Sequence, residues 1–313
     1  MNRVEERFPS MGSEAHVRLE SPVHEPAELE RLLAGVRALL REVELTLSRF
    51  RADSELSAVN RDPREVVALS PLMAEFARAA EWARVRSGGL VDATLLDELE
   101  RAGYATTRAG LEPAPLDEAL RVAPPRRPAR ARGALARFSI DPSGRLRREP
   151  GVQLDSGGLG KGLAADLAAA LLPADVRYAI SAGGDLAVGG PGGAWEVAVA
   201  AVRTGAEVHR LQVRAGGVAT SGIQARLWRA PDGSYAHHVL DPSTGQPAWT
   251  GLLAVTAAAS SALEAEVLAK TALLAGPARA RAVIARRGGV LQHEDGRVEV
   301  VEGRPVVRLK VAA

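Results

Sequence analysis

GVQLDSGGLGKGLAAD, residues 151–166, sets the carboxylate of Asp155 and the closely spaced Gly157, Gly158, Gly160 and Gly162 around Lys161. Glycines let backbone N–H groups come close to an anion, and the run LAADLAAALL beyond them reads as a helix whose positive end faces that anion. The segment reads as a strand-to-helix turn able to cradle a pyrophosphate, with a plain tight turn as the other reading. It matches neither the P-loop spacing nor the GxGxxG of a Rossmann turn. Lysine itself is rare here. Lys161, Lys270 and Lys310 are the only three among 40 basic residues, which leaves 37 arginines. Where arginine is the default cation, a lysine marks a place that wants a compact point charge rather than a wide planar fork.

Composition narrows the classes. With 313 residues, 46% of them apolar, the chain can bury a substantial core. Formal charge is only +2, and the sequence pI of about 9.3 reflects the arginine preference. Aromatic residues make up 4% and no RNA-stacking motif occurs, so nucleic acid is not an expected partner. Zero cysteines exclude disulfides, thiolate nucleophiles and Cys-ligated metals. The opening MNRVEERFPSMGSEAH has no apolar run of the kind that makes a signal peptide or lipoprotein signal, and no stretch reads as a membrane span; a cytoplasmic protein is expected.

Residues 11 to 20 alternate loosely and read as a first strand. From Pro26 the apolar positions Leu29, Leu32, Leu33, Val36, Leu39, Leu40, Val43 and Leu47 recur at helical spacing, predicting a long amphipathic helix that ends near Phe50. A second helix is delimited by Ser70 as N-cap, Pro71 at its first position and Gly88 and Gly89 beyond its end. Residues 105–133 are rich in proline and arginine, including PPRRPARARG, and read as a solvated inserted loop rather than a site for an acidic partner. Short strand-like runs then mix with helices at about 162–172, 262–275 and 277–287. The regular βα repeat of a doubly wound sheet is missing, and no internal repeat is visible.

Polar residues gather at turns in four further places, and a charged pair stands on a C-terminal helix. RADSELSAVN holds Asn60 beside Ser54 and Glu55, readable as a capped helix start or a ligand contact. Asp92 and Thr94 follow a glycine pair, where an N-cap role and a ligand role are compatible. Asp185 lies in a glycine-flanked turn between two strands, where a carboxylate can be aimed. AHHVLDPSTGQP brings His237, His238 and Asp241 near Thr220, Ser221 and Arg226; adjacent strand residues point to opposite faces, so at most one histidine reaches a given pocket. Glu266 and Lys270 stand one helical turn apart, an ordinary surface pairing except that nearly every neighbour is Ala, Leu or Val, and buried charges need partners or a ligand.

In order, the motifs MGS, LSRFRADSELSAVN, GGLVDATLL, GVQLDSGGLGKGLAAD, AGGDLAVGG, VATSG, HHVLDPSTGQPA and AEVLAKTALL, from Met11 to about Gly276, make the chain resemble the ApbE family of FAD:protein FMN transferases. The resemblance implies a single α+β unit over 1–313, a compact arrangement of mixed, mostly antiparallel sheets with packed helices. It also implies that FAD is cleaved at its pyrophosphate, that FMN is joined through a phosphoester to a Thr or Ser of an acceptor flavoprotein, and that AMP leaves with help from Mg2+. By the same resemblance, Met11 and Phe50 line the flavin and adenine pocket; Leu90, Val91 and Asp92 meet FAD mainly through backbone and one carboxylate; Asp155, Lys161 and Leu240 are further FAD contacts. The Gly158 carbonyl would ligate the metal, with the residues at Glu266 and Lys270 as the other ligands, where the family has an aspartate and usually a threonine or serine.

Lysine cannot ligate while charged, so the ion either shifts toward Glu266 and Gly158 or is replaced by the Lys270 ammonium. Lys161 would neutralise the departing phosphate, and His238 or Asp241 would accept the proton. The chain contains no threonine after a Ser/Thr-Gly-Ala run, so a separate acceptor protein is expected. Two further readings remain: an FAD pyrophosphatase releasing FMN and AMP, and an FAD-binding protein without catalysis.

Overall fold

The computed structural model describes residues 1–133, 137–230 and 232–303. Its frame is an eight-stranded sheet in which every pairing is antiparallel. The strands are β1 (Asn2–Ser10), β2 (Ser13–Ser21), β3 (Arg177–Ala182), β4 (Asp185–Gly189), β5 (Gly216–Gly222), β6 (Leu252–Ala259), β7 (Gly288–His293) and β8 (Val298–Glu302). Their order in space is their order in the chain. Each strand therefore returns beside its predecessor, and the helices and loops are excursions between neighbours.

The chain opens with a hairpin rather than with a single strand at 11–20. Met11 and Gly12 form its two-residue turn with φ of 49° and 66°, the backbone sign that tight hairpin turns require. In β1 only Val4 and Phe8 supply apolar contacts to the core, too sparse a pattern to mark an edge strand.

Five helices matter for the site: α1 (Pro26–Leu47), α2 (Pro71–Arg86), α3 (Gly160–Ala170), α4 (Ala262–Ala275) and α5 (Pro277–Ile284). On α1, Leu29, Leu33, Val36, Leu40, Val43 and Leu47 make one buried stripe against the sheet. Ser70 caps α2 by accepting from the Met73 amide at 3.2 Å, as its sequence signature predicts. Alanine and glycine set how closely α4 approaches its neighbours: a Cβ on Gly217 of β5 would fall 2.3 Å from the Ala262 nitrogen, and one on Gly162 of α3 would fall 2.8 Å from the Ala262 carbonyl oxygen. Side chains lock the two helices together. Asp166 of α3 accepts from the Ala262 and Leu263 amides at 2.8 and 2.9 Å, capping α4, while Glu266 of α4 accepts from the Gly162 amide at 3.0 Å in the first turn of α3. The opposite face of the sheet is covered by the ribbon Trp195–Ala200 and Glu207–Val213, with Trp195 and Val213 packed on Val188, Val218 and Ala258.

The proline- and arginine-rich segment is not simply a solvated loop. It contains a helix, Leu116–Val122, and its backbone is docked: the Arg127 and Ala129 amides donate to the carbonyls of Trp249 and Leu274, and the Arg130 amide donates to the Asp241 carboxylate. Its side chains are largely exposed, which is what the composition reports; the anchoring runs through backbone groups that composition does not encode.

Candidate active site

The glycine turn is entered from an extended segment that joins no sheet, which corrects the expected strand-to-helix turn. Side chains hold it instead. Asn60 bridges both backbone groups of Leu154 at 2.8 Å, the Asp155 amide donates to the Ala93 carbonyl, and the Ser156 hydroxyl donates to the carbonyl of Leu47 at the end of α1. Asn60 is thus spent on positioning the turn. Ser54 caps the short helix Glu55–Arg61.

Beyond the turn lies a floor of four ionisable groups. Lys270 reaches from α4 across Gly158, donating to its carbonyl at 2.7 Å, with Glu266 Oε1 at 3.8 Å. A Cβ on Gly158 would sit 2.4 Å from that ammonium, so glycine makes the approach possible. Lys161, in the first turn of α3, donates to the Ser13 hydroxyl at 3.2 Å and is 3.5 Å from the Gly183 carbonyl, linking the first hairpin and the β3–β4 turn. Asp185 opens β4 and is buried. Burial and the neighbouring Glu266 carboxylate raise its carboxyl well above the usual range, against the pull of Lys161 and Lys270. Burial also raises Glu266, opposed first by Lys270 and by the Gly162 amide. The sequence drew attention to Asp185 without connecting it to Glu266, 81 positions later by residue number.

The rim is built from aromatic and guanidinium faces. Arg49 pairs its Nε with Asp155 Oδ1 at 2.9 Å, and its guanidinium carbon lies 4.2 Å from the Phe50 ring centroid and 4.5 Å from that of Tyr104. Its side chain is 5% exposed, yet neither Nη1 nor Nη2 has a hydrogen-bond partner among the described residues. Buried donors left open in this way suit a ligand acceptor. Sequence reasoning missed Arg49 and Tyr104; the signal was an arginine directly before Phe50 in a chain with only four phenylalanines. Arg226 donates to the Gly12 carbonyl at 3.1 Å and so ties the turn holding Met11 to the segment before the histidines.

The two histidines are not both on a strand as expected: the strand Tyr235–His237 ends before His238, which lies in a bend. His237 is fully buried with its ring edge-on to Trp249, centroids 4.7 Å apart. His238 feels the site's cations: burial, then Lys270 and Lys161, lower its pKa to about 3 against the raising effect of a backbone hydrogen bond with Arg226, and its Nδ1 has no partner among the described residues. Burial brings His237 to about 3 as well. Asp241 is occupied elsewhere, since its Oδ1 accepts from the Arg130 amide and from the amide and hydroxyl of Ser243. Asp92 accepts from the amide and hydroxyl of Thr94, but neither caps a helix: the next one, Leu96–Arg101, has Leu95 at its N-cap and no side-chain bond there. Val91 and Leu240 have buried side chains and Leu90 is half-buried, which leaves backbone as what Val91 and Leu240 can offer a ligand. Thr220 is paired with Thr256 at 2.8 Å.

Residues 11–292 match the model of the ApbE family. The chain belongs to the ApbE family. An FAD:protein FMN transferase of Klebsiella pneumoniae is 30% identical over 84% of this chain and 76% of its own length. The apo flavinyl transferase ApbE of Pseudomonas stutzeri superposes with a TM-score of 0.74 at 28% identity, covering 96% of this chain and 95% of that one. The ApbE protein of Thermotoga maritima shares the fold at a TM-score of 0.78 and 23% identity, over 96% and 97% of the two chains.

Against the metal expected from the ApbE resemblance, the residues present do not fit. The Gly158 carbonyl is already engaged by an ammonium, which has no lone pair to give a metal and repels one. Among the described residues no group of three or more His, Cys, Asp or Glu is arranged to hold an ion.

Proposed function

We propose that this ApbE-family chain transfers FMN from FAD to a Thr or Ser hydroxyl of an acceptor flavoprotein through a phosphoester bond, releasing AMP. The observation that carries the reading is the meeting of two of the three lysines at a glycine turn, on a floor that is otherwise desolvated. A pyrophosphate is the kind of group such a floor recognises, being multiply anionic and served by point charges and approachable backbone. The open Nη donors of Arg49 and the faces of Phe50 and Tyr104 offer the rim contacts that the flat ends of a dinucleotide need.

The acceptor hydroxyl oxygen forms a bond to the FMN-side phosphorus while the bond from that phosphorus to the bridging oxygen breaks. The bridging oxygen leaves on AMP. Lys161 offsets the charge that develops there, a fixed ammonium in a dry site being far more effective than one in water. The hydroxyl proton goes to His238, whose imidazole is neutral and has an open Nδ1, whereas Asp241 is committed to its turn. Burial is the main cause of the low pKa of His238; a bound pyrophosphate would offset only the share that comes from Lys270 and Lys161, and so raise it in part.

The test is AMP release from FAD, followed by chromatography, with and without an acceptor domain bearing a threonine after a Ser/Thr-Gly-Ala run. Release that requires the acceptor, with FMN appearing on it, is expected. Release without acceptor would make the chain a pyrophosphatase, and FAD binding without release would make it a binder.

A further inference from the structure

We infer that Lys270 is a built-in substitute for a divalent cation: its ammonium, anchored on the Gly158 carbonyl, takes up the pyrophosphate charge of bound FAD, and this site works without magnesium. The inference rests on the flavin reading above and concerns what neutralises the substrate.

Three features support it. Lys270 is not held as the ordinary partner of Glu266 one turn away, since its Nζ is 3.8 Å from that carboxylate and 2.7 Å from the Gly158 carbonyl, so the side chain is aimed at the turn. Only one of its three N–H donors is used by a hydrogen bond among the described residues, and the side chain is 16% exposed, which leaves donors free in a largely dry place. The room it fills exists because residue 158 has no side chain. Glu266 keeps one oxygen on the Gly162 amide, so it positions α3. A divalent ion beside Gly158 would have to displace that ammonium or share a poorly screened space with it, and Lys161 adds a second like charge.

The test uses full-length protein and FAD, with affinity read by flavin fluorescence and divalent binding by the electron paramagnetic resonance signal of Mn2+. For the wild type, FAD affinity in EDTA and in millimolar Mg2+ is expected to agree within about twofold, and Mn2+ to stay free with FAD present. Lys270→Thr replaces the ammonium by a neutral oxygen ligand; its affinity in EDTA is expected to fall at least about tenfold, to recover with Mg2+, and to be accompanied by Mn2+ uptake. Lys270→Met is expected to lose affinity without recovery. Wild-type affinity that rises about tenfold with Mg2+, or wild-type uptake of Mn2+ with FAD, would overturn the inference. If Lys270→Thr does not fold, the wild-type comparison in EDTA and Mg2+ and the Mn2+ signal still decide it. Absence of FAD binding by folded wild type in either condition would overturn the flavin reading itself, a different result from magnesium dependence.

Discussion

The floor and the rim of the site use different cations. On the floor, Lys161 and Lys270 reach carbonyl or hydroxyl oxygens beside Asp185 and Glu266. On the rim, guanidinium groups lie flat: Arg49 on Phe50 and Tyr104, and Arg108 on Trp228 with 4.6 Å to the ring centroid. A guanidinium needs a plane to stack on and a fork to fill, and the rim offers aromatic faces. The floor is walled by backbone and admits only a narrow stem with a compact head. In a chain where nearly every cation is arginine, the two described lysines sit where arginine would not fit; Lys310 lies outside the described residues.

The sharpest way to break that contrast is Lys161→Arg, which keeps the charge and changes its shape. The Lys161 Nζ already lies 3.2 Å from the Ser13 hydroxyl and 3.5 Å from the Gly183 carbonyl, so the wider head crowds both. AMP release is expected to fall about 10²–10³-fold, close to the loss in Lys161→Met, with thermal unfolding of the apo protein little changed. Turnover near wild type in Lys161→Arg would show that charge alone matters on the floor.

The next effect falls on stability. Gly162→Ala puts a methyl 2.8 Å from the Ala262 carbonyl oxygen and the Leu263 Cα, forcing α3 and α4 apart under the floor, and is expected to cost about 1–3 kcal/mol in urea unfolding. Gly35→Ala on α1, with nothing within 4 Å of the new methyl, is the control and is expected to stabilise by roughly 0.5–1 kcal/mol. Equal outcomes for the two would mean that the helix contact is loose.

The third and smallest effect lies where two adjacent imidazoles part company. Both are held near pKa 3, below the ordinary value of 6.5, so the folded state keeps them neutral while the unfolded chain protonates first. Their contribution is present above about pH 6.5 and is lost as pH falls toward 3, by at most about 1.4 kcal/mol per pH unit for each. The raised carboxyls Asp185 and Glu266 act in the opposite sense, because the folded state takes up their protons first as pH falls. The histidine share is therefore read as a difference. Between pH 7 and 5, His237→Leu is expected to lose about 1–2 kcal/mol less than wild type. Parallel curves would show that His237 is protonated in the fold.

What the sequence made legible follows the same division. Long helices declared themselves: α1 begins at Pro26, α2 has its Ser-Pro start, and α4 covers the expected 262–275. The α+β class and the motif order were readable because period and turn chemistry are local. The edge strand β1 was not, since charged residues fill its exposed positions. Asp92 and Thr94 looked like a helix cap because an Asx turn and an N-cap use the same residues, and only backbone angles separate them. In the site, the departure at Lys270 could be read from the sequence, but its aim at Gly158 could not. Nor could the docking of the arginine-rich segment, whose bonds run from backbone to residues more than a hundred positions away.

The reciprocal bonds between α3 and α4 also impose an order on synthesis. Gly162 and Glu266 are 104 positions apart, and Asp166 stands 96 before Ala262. A ribosome that has released α3 but not yet α4 has made the glycine turn and Lys161 without the carboxylate that holds the first turn of α3 in place. The nascent chain must therefore carry an unfinished glycine turn until Glu266 has emerged.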